Sequence, residues 1–421
     1  MTPLWPEEQG FLQWIQAQWH EDAPRLIFAD FLDERHDPRG ELIRVQCALA
    51  RMAADDRRRK KLRQRESELL HQYAADWLHP LKGIVSDAQF RRGLLESVSM
   101  SGRDFFDHGE ILRQIPSLRR LRLYDAASWM GRILQRQELS QLRELDLCGN
   151  DLGNGTMTLL ARAPFLERLE ILDLSVNSLT SEGVRQLMQA DWVARLTELH
   201  LNDNGRIADA GVDALARNPR LRRLHTLDLS GNDLSDGAVR MLSESPHLKR
   251  LNRLMLHQNH IGDMGIHWLL SGDLWHRLMQ RARVLNLEES TISLPGIQEL
   301  VNSPRFRQVE SLDLSGNLFG DRGIQALARS DNALRLRHLR IRKNRLSDDA
   351  ALAIADAPWL AQLESLDMSD NAVTKEAIEI IRESPYFHWR LKLDLDEHPE
   401  RLPDSSRLRR NRRPPPHENF I

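Results

Sequence analysis

The sequence predicts an α/β solenoid: about 12 short parallel strands inside, helices outside, curved as a horseshoe and preceded by a small helical domain. Three observations predict it. First, an asparagine recurs at 150, 177, 204, 232 and 259, then again at 317, 344 and 371, with Ser290 in the same slot. The gaps are 27, 27, 28, 27, 31, 27, 27 and 27 residues. Second, most of these Asn residues follow a Leu-x-Leu triplet, as in Leu224-His-Thr-Leu227-Asp-Leu229-Ser-Gly-Asn232. Third, a helical pattern follows each Asn, opened usually by Gly and closed by Pro. A period held this closely does not come from composition.

Composition agrees. At 421 residues the chain exceeds one ordinary core, and stacked units escape that limit. A net charge of -2 argues against a wholesale polyelectrolyte partner. Cys47 and Cys148 are the only cysteines, so no disulfide framework is expected. The N-terminus lacks a basic n-region and an apolar h-region, and no run approaches 18 apolar residues. A cytoplasmic protein with no membrane contact is expected.

Residues 1–85 read as helical. Phe11, Leu12, Ile15 and Trp19 fall at helical spacing within 5–19, and Leu26, Ile27, Phe28, Phe31 and Leu32 give an apolar face to 23–35. The corner His36-Asp-Pro-Arg-Gly40 stops that helix, with Pro38 disfavouring helix at Asp37 and Gly40 tolerating a positive φ. A third helix spans 41–52 with Leu42, Ile43, Val45 and Leu49 inward. A fourth is capped by Asp55 or Asp56 and continues to Trp77. It carries Arg57-Arg-Arg-Lys-Lys-Leu-Arg-Gln-Arg65, a solvated face or a contact for nucleic acid.

The phrases Leu26-Ile-Phe-Ala-Asp-Phe-Leu-Asp-Glu-Arg35 and Asp37-Pro-Arg-Gly-Glu41-Leu-Ile-Arg resemble the repeat-companion domain found in front of repeat proteins in bacteria. Phe90-Arg-Arg-Gly-Leu-Leu-Glu-Ser-Val98 is similar to the phrase that joins that domain to its repeats. The resemblance implies a bacterial origin but no activity. Asp30, Asp33, Glu34, Asp37 and Arg39 match its motif; caps and turns explain them more simply than a catalytic carboxylate pair.

Residues 86–398 are the repeats. Val98-Ser-Met100 and Leu121-Arg-Leu123 read as the first two strands, and ten more follow, down to the degenerate Leu393-Asp-Leu395. The phrase L-x-x-L-x-L-x-x-N is the leucine-rich repeat signature. Units of 27–28 residues with a full helix resemble the ribonuclease-inhibitor-like subclass. The leucines stack into a continuous core. The ladder of Asn150, Asn177, Asn204, Asn232, Asn259, Asn317, Asn344 and Asn371 must then be buried and hydrogen-bonded, since an orphaned amide costs about 1–3 kcal/mol. The long gap before Ser290 predicts a longer helix or loop on the back edge and a local change in curvature.

The middle residue of each Leu-x-Leu points to the concave side, because strand side chains alternate. That row is Asp146, Asp173, His200, Asp228, Met255, Asn286, Asp313, Arg340, Asp367 and Asp394, largely acidic. Glu144, Glu198, Asp203, Glu288, Glu289 and Asp370 add to it. Such a face steers a basic partner. The plainer reading is that each Asp accepts a local hydrogen bond. Arg340, Arg342 and Lys343 interrupt the row, either as an internal salt-bridge lattice or as an anchor for a partner's carboxylate or phosphate.

No phosphate-loop, zinc-protease, hydrolase or redox motif is present. His257 and His260 do not complete a metal set, and Arg206 is the one candidate for a GTPase-activating arginine. No catalytic residue, cofactor or metal is expected. Residues 399–421, with Arg407–Arg413 and three prolines, read as a disordered basic tail. The expected function is a monomeric protein-interaction scaffold. A nucleic-acid-associated protein using 57–65 and 407–413, and a GTPase regulator, are the alternatives.

Overall fold

A computed structural model of the chain describes residues 7–53, 55–280 and 283–394. The basic tail, Trp5 and Leu395 lie outside the described residues. Two compact units divide the chain, Met1–Asn204 and Gly205–Ile421.

The first unit opens with four helices: α1 Glu8–Ala17, α2 Ala23–Asp33, α3 Arg39–Arg51 and α4 Arg58–Trp77. A hairpin follows, β1 Asp87–Arg91 and β2 Leu94–Ser101. Then come α5 Gly102–His108, β3 Arg120–Tyr124, α6 Met130–Ile133, β4 Glu144–Asp146, α7 Asn154–Ala161, β5 Ile171–Asp173, α8 Ser181–Leu187 and β6 Glu198–His200. Leu12, Ile15, Phe28, Leu32, Ile43 and Cys47 form the core of α1–α3, and Leu94 of the hairpin joins them. Leu69 of α4 packs on Leu42, Val45 and Leu49, while Trp77 lies between Tyr73 and Phe90. Helices and hairpin therefore share one apolar interior. Burying each large aliphatic side chain there contributes about 1.5–3 kcal/mol.

Three details differ from the sequence reading. Ile27 is 44% exposed and faces away from the core. The positive φ at the 36–40 corner belongs to His36, at 55°. Gly40 sits inside α3, where a Cβ would lie 2.2 Å from Asp33 Oδ1 and 2.9 Å from the Ala29 carbonyl oxygen. It is glycine because α2 and α3 meet there. The joining phrase 90–98 is a hairpin rather than a plain connection. Arg92 and Gly93, at φ 47° and 83°, make its two-residue turn, which demands positive φ at both positions.

From β2 onward the strands of the first unit pair in parallel, each with its sequence neighbour, and leucine faces leucine: Leu121, Leu145, Leu172 and Leu199 share one row. A dozen or more residues with a helix must separate parallel neighbours, which is what each unit supplies.

The second unit repeats the scheme: α9 Ala208–Ala216, β7 Thr226–Asp228, α10 Asp236–Glu244, β8 Arg253–Met255, α11 Asp263–Ser271, α12 Asp273–Met279 and β9 Val284–Asn286. It continues with α13 Leu294–Asn302, β10 Ser311–Asp313, α14 Gly320–Ala328, β11 His338–Arg340, α15 Asp348–Ala355, β12 Ser365–Asp367, α16 Lys375–Glu383 and β13 Lys392–Asp394. Strands β7 and β8 pair in parallel, and β9–β13 form their own five-strand ladder. The interruption between β8 and β9 coincides with the 31-residue gap. The extra residues make a second helix, α12, whose Leu274, Trp275, Leu278 and Met279 are buried. They thicken the core rather than forming an exposed back-edge loop.

The residue before each ladder Asn adopts a left-handed backbone: Gly149, Val176, Asp203, Gly231, Gln258, Glu289, Gly316, Lys343 and Asp370 all have φ between 48° and 70°. Glycine and Asp suit that slot, whereas a β-branched side chain is an outlier there. Val176 is 47% exposed, so it returns little burial energy for the strain. Val176→Asn is expected to raise stability by about 1 kcal/mol in urea denaturation. A loss of stability would show that the Val side chain makes a contact outweighing the strain.

Candidate functional site

The Leu-x-Leu spelling places one polar side chain per strand on the solvent side of the sheet, and the turn after the strand then constrains it. Asp173 Oδ1 accepts the Ser175 N–H at 2.9 Å. Asp228 Oδ1 accepts both the N–H and the hydroxyl of Ser230, at 3.0 and 2.8 Å. Asp313 and Asp367 repeat this with the N–H of Ser315 and Ser369, at 3.0 and 3.1 Å. Asn286 does the same for Glu288 at 2.9 Å. One oxygen of each side chain therefore holds the strand-exit turn, and only Oδ2 of each Asp is left for other work.

The row is less uniformly available than the sequence implies. Asp146 is 3% exposed, its Oδ1 accepts the Cys148 N–H, and Arg120 donates to its Oδ2 at 2.9 Å. It is a structural ion pair, not a contact open to a partner. Arg120 also reaches Glu144 at 3.0 Å, while burial pushes the Glu144 carboxyl up against that attraction. Asp313 is also buried, with Arg340 3.7 Å from its Oδ2. Arg342 bonds Asp370 at 2.8 Å and approaches Asp367 at 3.9 Å. Arg340 and Arg342 thus belong to a lattice of neighbouring charges. Lys343 is exposed, and Met255 is half-buried.

The remaining acidic groups differ. No cation of the described residues lies within ion-pair distance of Asp173 or Asp203 in the first unit, nor of Asp228 in the second. His200 sits 3.7 Å from Glu198, beside Asp173 in the strand register. Glu288 is half-buried; desolvation and nearby Asp313 push its carboxyl up. His257 Nδ1 lies 2.9 Å from Ser230 Oγ, and His260 Nε2 lies 3.0 Å from Asp233, so the two histidines serve different partners. Arg206 is exposed in its loop.

The Asn slots carry dense hydrogen bonding. Asn177 Oδ1 accepts from the N–H groups of Asn150 and Leu152, and its Nδ2 donates to the Leu147, Leu174 and Ser175 carbonyls. The same pattern recurs at Asn259, Asn317, Asn344 and Asn371. Asn150 and Asn204 bond Ala126 N–H and Leu179 N–H in the same way, and Asn232 donates to Ser230.

A second ladder escaped the sequence reading. Asp236 Oδ1 accepts the N–H groups of Gly262 and Gly265, at 2.7 and 2.8 Å. Asp209, Asp263, Asp321 and Asp348 likewise accept from Ser235, Ser293, Ser347 and Thr374 of the next unit. Asn154 plays the part for Thr180. The signal was present: an Asp or Asn four residues after the ladder Asn, with Ser or Thr one position earlier in the following unit. This also explains the glycine that opens most helices. A Cβ at Gly265 or Gly296 would lie 2.7 Å from Asp236 Oδ1 or 2.3 Å from Asp263 Oδ1.

In the N-terminal motif every carboxylate has a guanidinium, Glu34 the exposed Arg35 next to it at 3.8 Å and the others a partner more distant in sequence. Asp30 and Asp33 share Arg44, and Asp37 and the buried Glu8 share Arg39 at 2.6 and 2.8 Å. These are braces between helices. In the basic stretch of α4, Arg58 pairs with Asp56, Arg59 donates to the Leu49 and Met52 carbonyls, Arg63 pairs with Glu66, and Arg65 pairs with Glu41. Four of the seven cations are engaged within the domain, leaving a thin patch for nucleic acid.

The Leucine Rich repeat family profile matches residues 196–216, 221–243, 308–328 and 336–355. Among solved structures the chain is similar to the Rad7 and Elc1 complex of yeast, at 17% identity over 89% of this chain and 91% of that one, with a TM-score of 0.46. It is also similar to an internalin from Listeria monocytogenes, at 12% identity over 77% and 96%, with a TM-score of 0.40. Comparison with curated proteins gives no match. No described helix is long and apolar enough to cross a membrane.

Proposed function

We propose that this chain is a non-enzymatic scaffold whose strand faces hold a basic protein partner. The observation that carries this reading is that no cation of the described residues lies within ion-pair distance of Asp173, Asp203 or Asp228. Elsewhere on the strand faces Asp146, Asp313, Asp367 and Asp370 are each answered by an arginine. Uncompensated carboxylates on a rigid sheet attract and orient a cationic surface. The helical N-terminal segment is then a companion module of the bacterial type, and the repeats are of the ribonuclease-inhibitor-like kind.

Asparagine is the informative substitution, because it keeps the oxygen that holds the turn and removes the charge. A variant carrying Asp173→Asn, Asp203→Asn and Asp228→Asn is expected to unfold within about 1 kcal/mol of the parent protein. Its affinity for a Lys/Arg-rich probe peptide should fall about tenfold, since each exposed pair contributes about 0.5 kcal/mol. Calorimetric titration at two salt concentrations decides it. Equal affinity of variant and parent would remove the strand face from consideration.

A further inference from the structure

One arginine in the first unit lacks what every neighbouring arginine has. Arg25, buried on α2, donates to Glu96 at 2.8 Å and to the Trp19 carbonyl at 2.7 Å. Arg92 donates to the His20 carbonyl at 3.0 Å and to Asp22 at 3.2 Å. Arg143 pairs with Glu170. Arg119 stands among them, 8% exposed, with no carboxylate of the described residues in ion-pair range. Its Nε and Nη1 are buried and meet no acceptor. The Trp19 ring covers it, with its centroid 4.7 Å away, and Arg143 lies 5.6 Å from the same ring; Glu96 attracts it without pairing with it. Desolvation pushes Arg119 down to about 10, and Arg25, Arg143 and Arg92 push the same way against Glu96.

A buried guanidinium left in this state is costly, because Nε and Nη1 have no hydrogen bond to replace their lost hydration and Glu96, the nearby carboxylate, is bonded to Arg25. A cation–π contact recovers about 2 kcal/mol at most when desolvated. The surroundings are built rather than loose. The carbonyls of Trp19 and His20 are pinned by Arg25 and Arg92, and Gln16 bonds the Pro116 carbonyl. An open cavity borders the same turn, lined by Gln18, Trp19, His20, Glu21 and Arg143 among others, with Arg119 behind Trp19 rather than in its wall. Trp19 thus both lines the cavity and stacks on Arg119. With Glu96, Asp22 and Glu170 each committed to another arginine, one positive charge is left over.

We propose that Arg119, with Arg143 beside it and Trp19 as its cover, is the receptor for a small oxyanion, a carboxylate or a phosphate. A planar guanidinium offers two parallel N–H groups to such a ligand, and Nε with one terminal nitrogen is a pair suited to it. Binding requires the Trp19 ring to turn aside, since Trp19 and not Arg119 lines the cavity. The site is independent of the acidic strand face, since it takes the opposite charge.

The test is thermal unfolding of the full chain in an amine chloride buffer such as Tris, free of other oxyanions, titrated separately with inorganic phosphate and with glutarate. The parent protein is expected to show a saturable rise in Tm with one of them, and the responding arm names the source. Arg119→Met should be at least as stable as the parent without anion and show no saturable rise. Arg119→Lys keeps the charge but loses the fork, and should respond at about tenfold higher concentration; it also carries the test if the Met variant does not fold. No response by the parent to either anion, or equal responses by parent and variants, overturns the proposal.

Discussion

Replacing Asn259 by Ala is expected to lower stability by about 3–5 kcal/mol, read as the shift in the urea midpoint. The side chain makes five hydrogen bonds. Its Oδ1 accepts the N–H groups of Asn232 and Leu234, both at 3.0 Å. Its Nδ2 donates to the carbonyls of Leu229, Leu256 and His257, at 3.0, 2.9 and 3.2 Å. Truncation leaves two donors and three acceptors in a place that is 2% exposed. Each orphaned group costs about 1–3 kcal/mol, and entry of a water into the vacated space keeps the total below the sum. Asn371 supplies the control, because it makes the same five bonds from a half-buried position in the last Asn-bearing unit. Water replaces them there, so Asn371→Ala should cost only about 1–2 kcal/mol. Ser290 is the converse case. Its hydroxyl is buried without a partner where other units place an amide, so Ser290→Asn should add about 1 kcal/mol. Equal losses at 259 and 371 would refute the view that burial, rather than bond count, sets the magnitude.

The repeat phase was legible because its residues act within one unit and its immediate neighbours. Leu227 faces Leu254 for the same reason that it sits two residues before Leu229. The Asn ladder was legible too, since an amide at a strand exit has few ways to be satisfied. The strand-face aspartates were half legible: the row was readable, but the sequence does not say that Asp146 would bond Arg120 while no cation of the described residues would come within ion-pair distance of Asp173. That choice depends on which residue the neighbouring unit places beside each Asp. The Asp236-type ladder had a visible spelling, yet its meaning needs the helix N-terminus of the following unit. Least legible were Arg25 and Arg119. Arg25 finds Glu96 71 residues away, and no periodicity ties an N-terminal helix to the first repeats.

The docking of those helices includes one backbone contact that leaves no room for a side chain, and Gly93→Ala is expected to break it. Gly93 occupies φ 83° in the hairpin turn. An ideal Cβ there would lie 2.2 Å from Ile43 Cγ1, 2.3 Å from Ile43 Cα and 2.6 Å from its backbone nitrogen. A side chain can rotate away from such a clash, but the backbone of α3 cannot. The hairpin and α3 would have to separate, breaking the bond from Gly93 N–H to Gln46 Oε1 at 2.6 Å and that from Gln46 to the Phe90 carbonyl at 3.1 Å. It would also withdraw Leu94 from the core around Phe28 and Ile43. Together these losses come to about 4 kcal/mol or more, the range of an overpacked core site combined with lost burial. Gly83 separates clash from backbone strain. It also has a positive φ, 79°, but a Cβ there meets nothing within 4 Å. Gly83→Ala should therefore lose only about 1 kcal/mol, the penalty of the left-handed backbone alone. Limited proteolysis gives the second readout: in Gly93→Ala the segment from α1 to α4 should become cleavable under conditions where the repeats resist. If the two glycine variants unfold at the same urea midpoint, or if the helices of Gly93→Ala stay protected, this contact does not decide how the N-terminal helices are held.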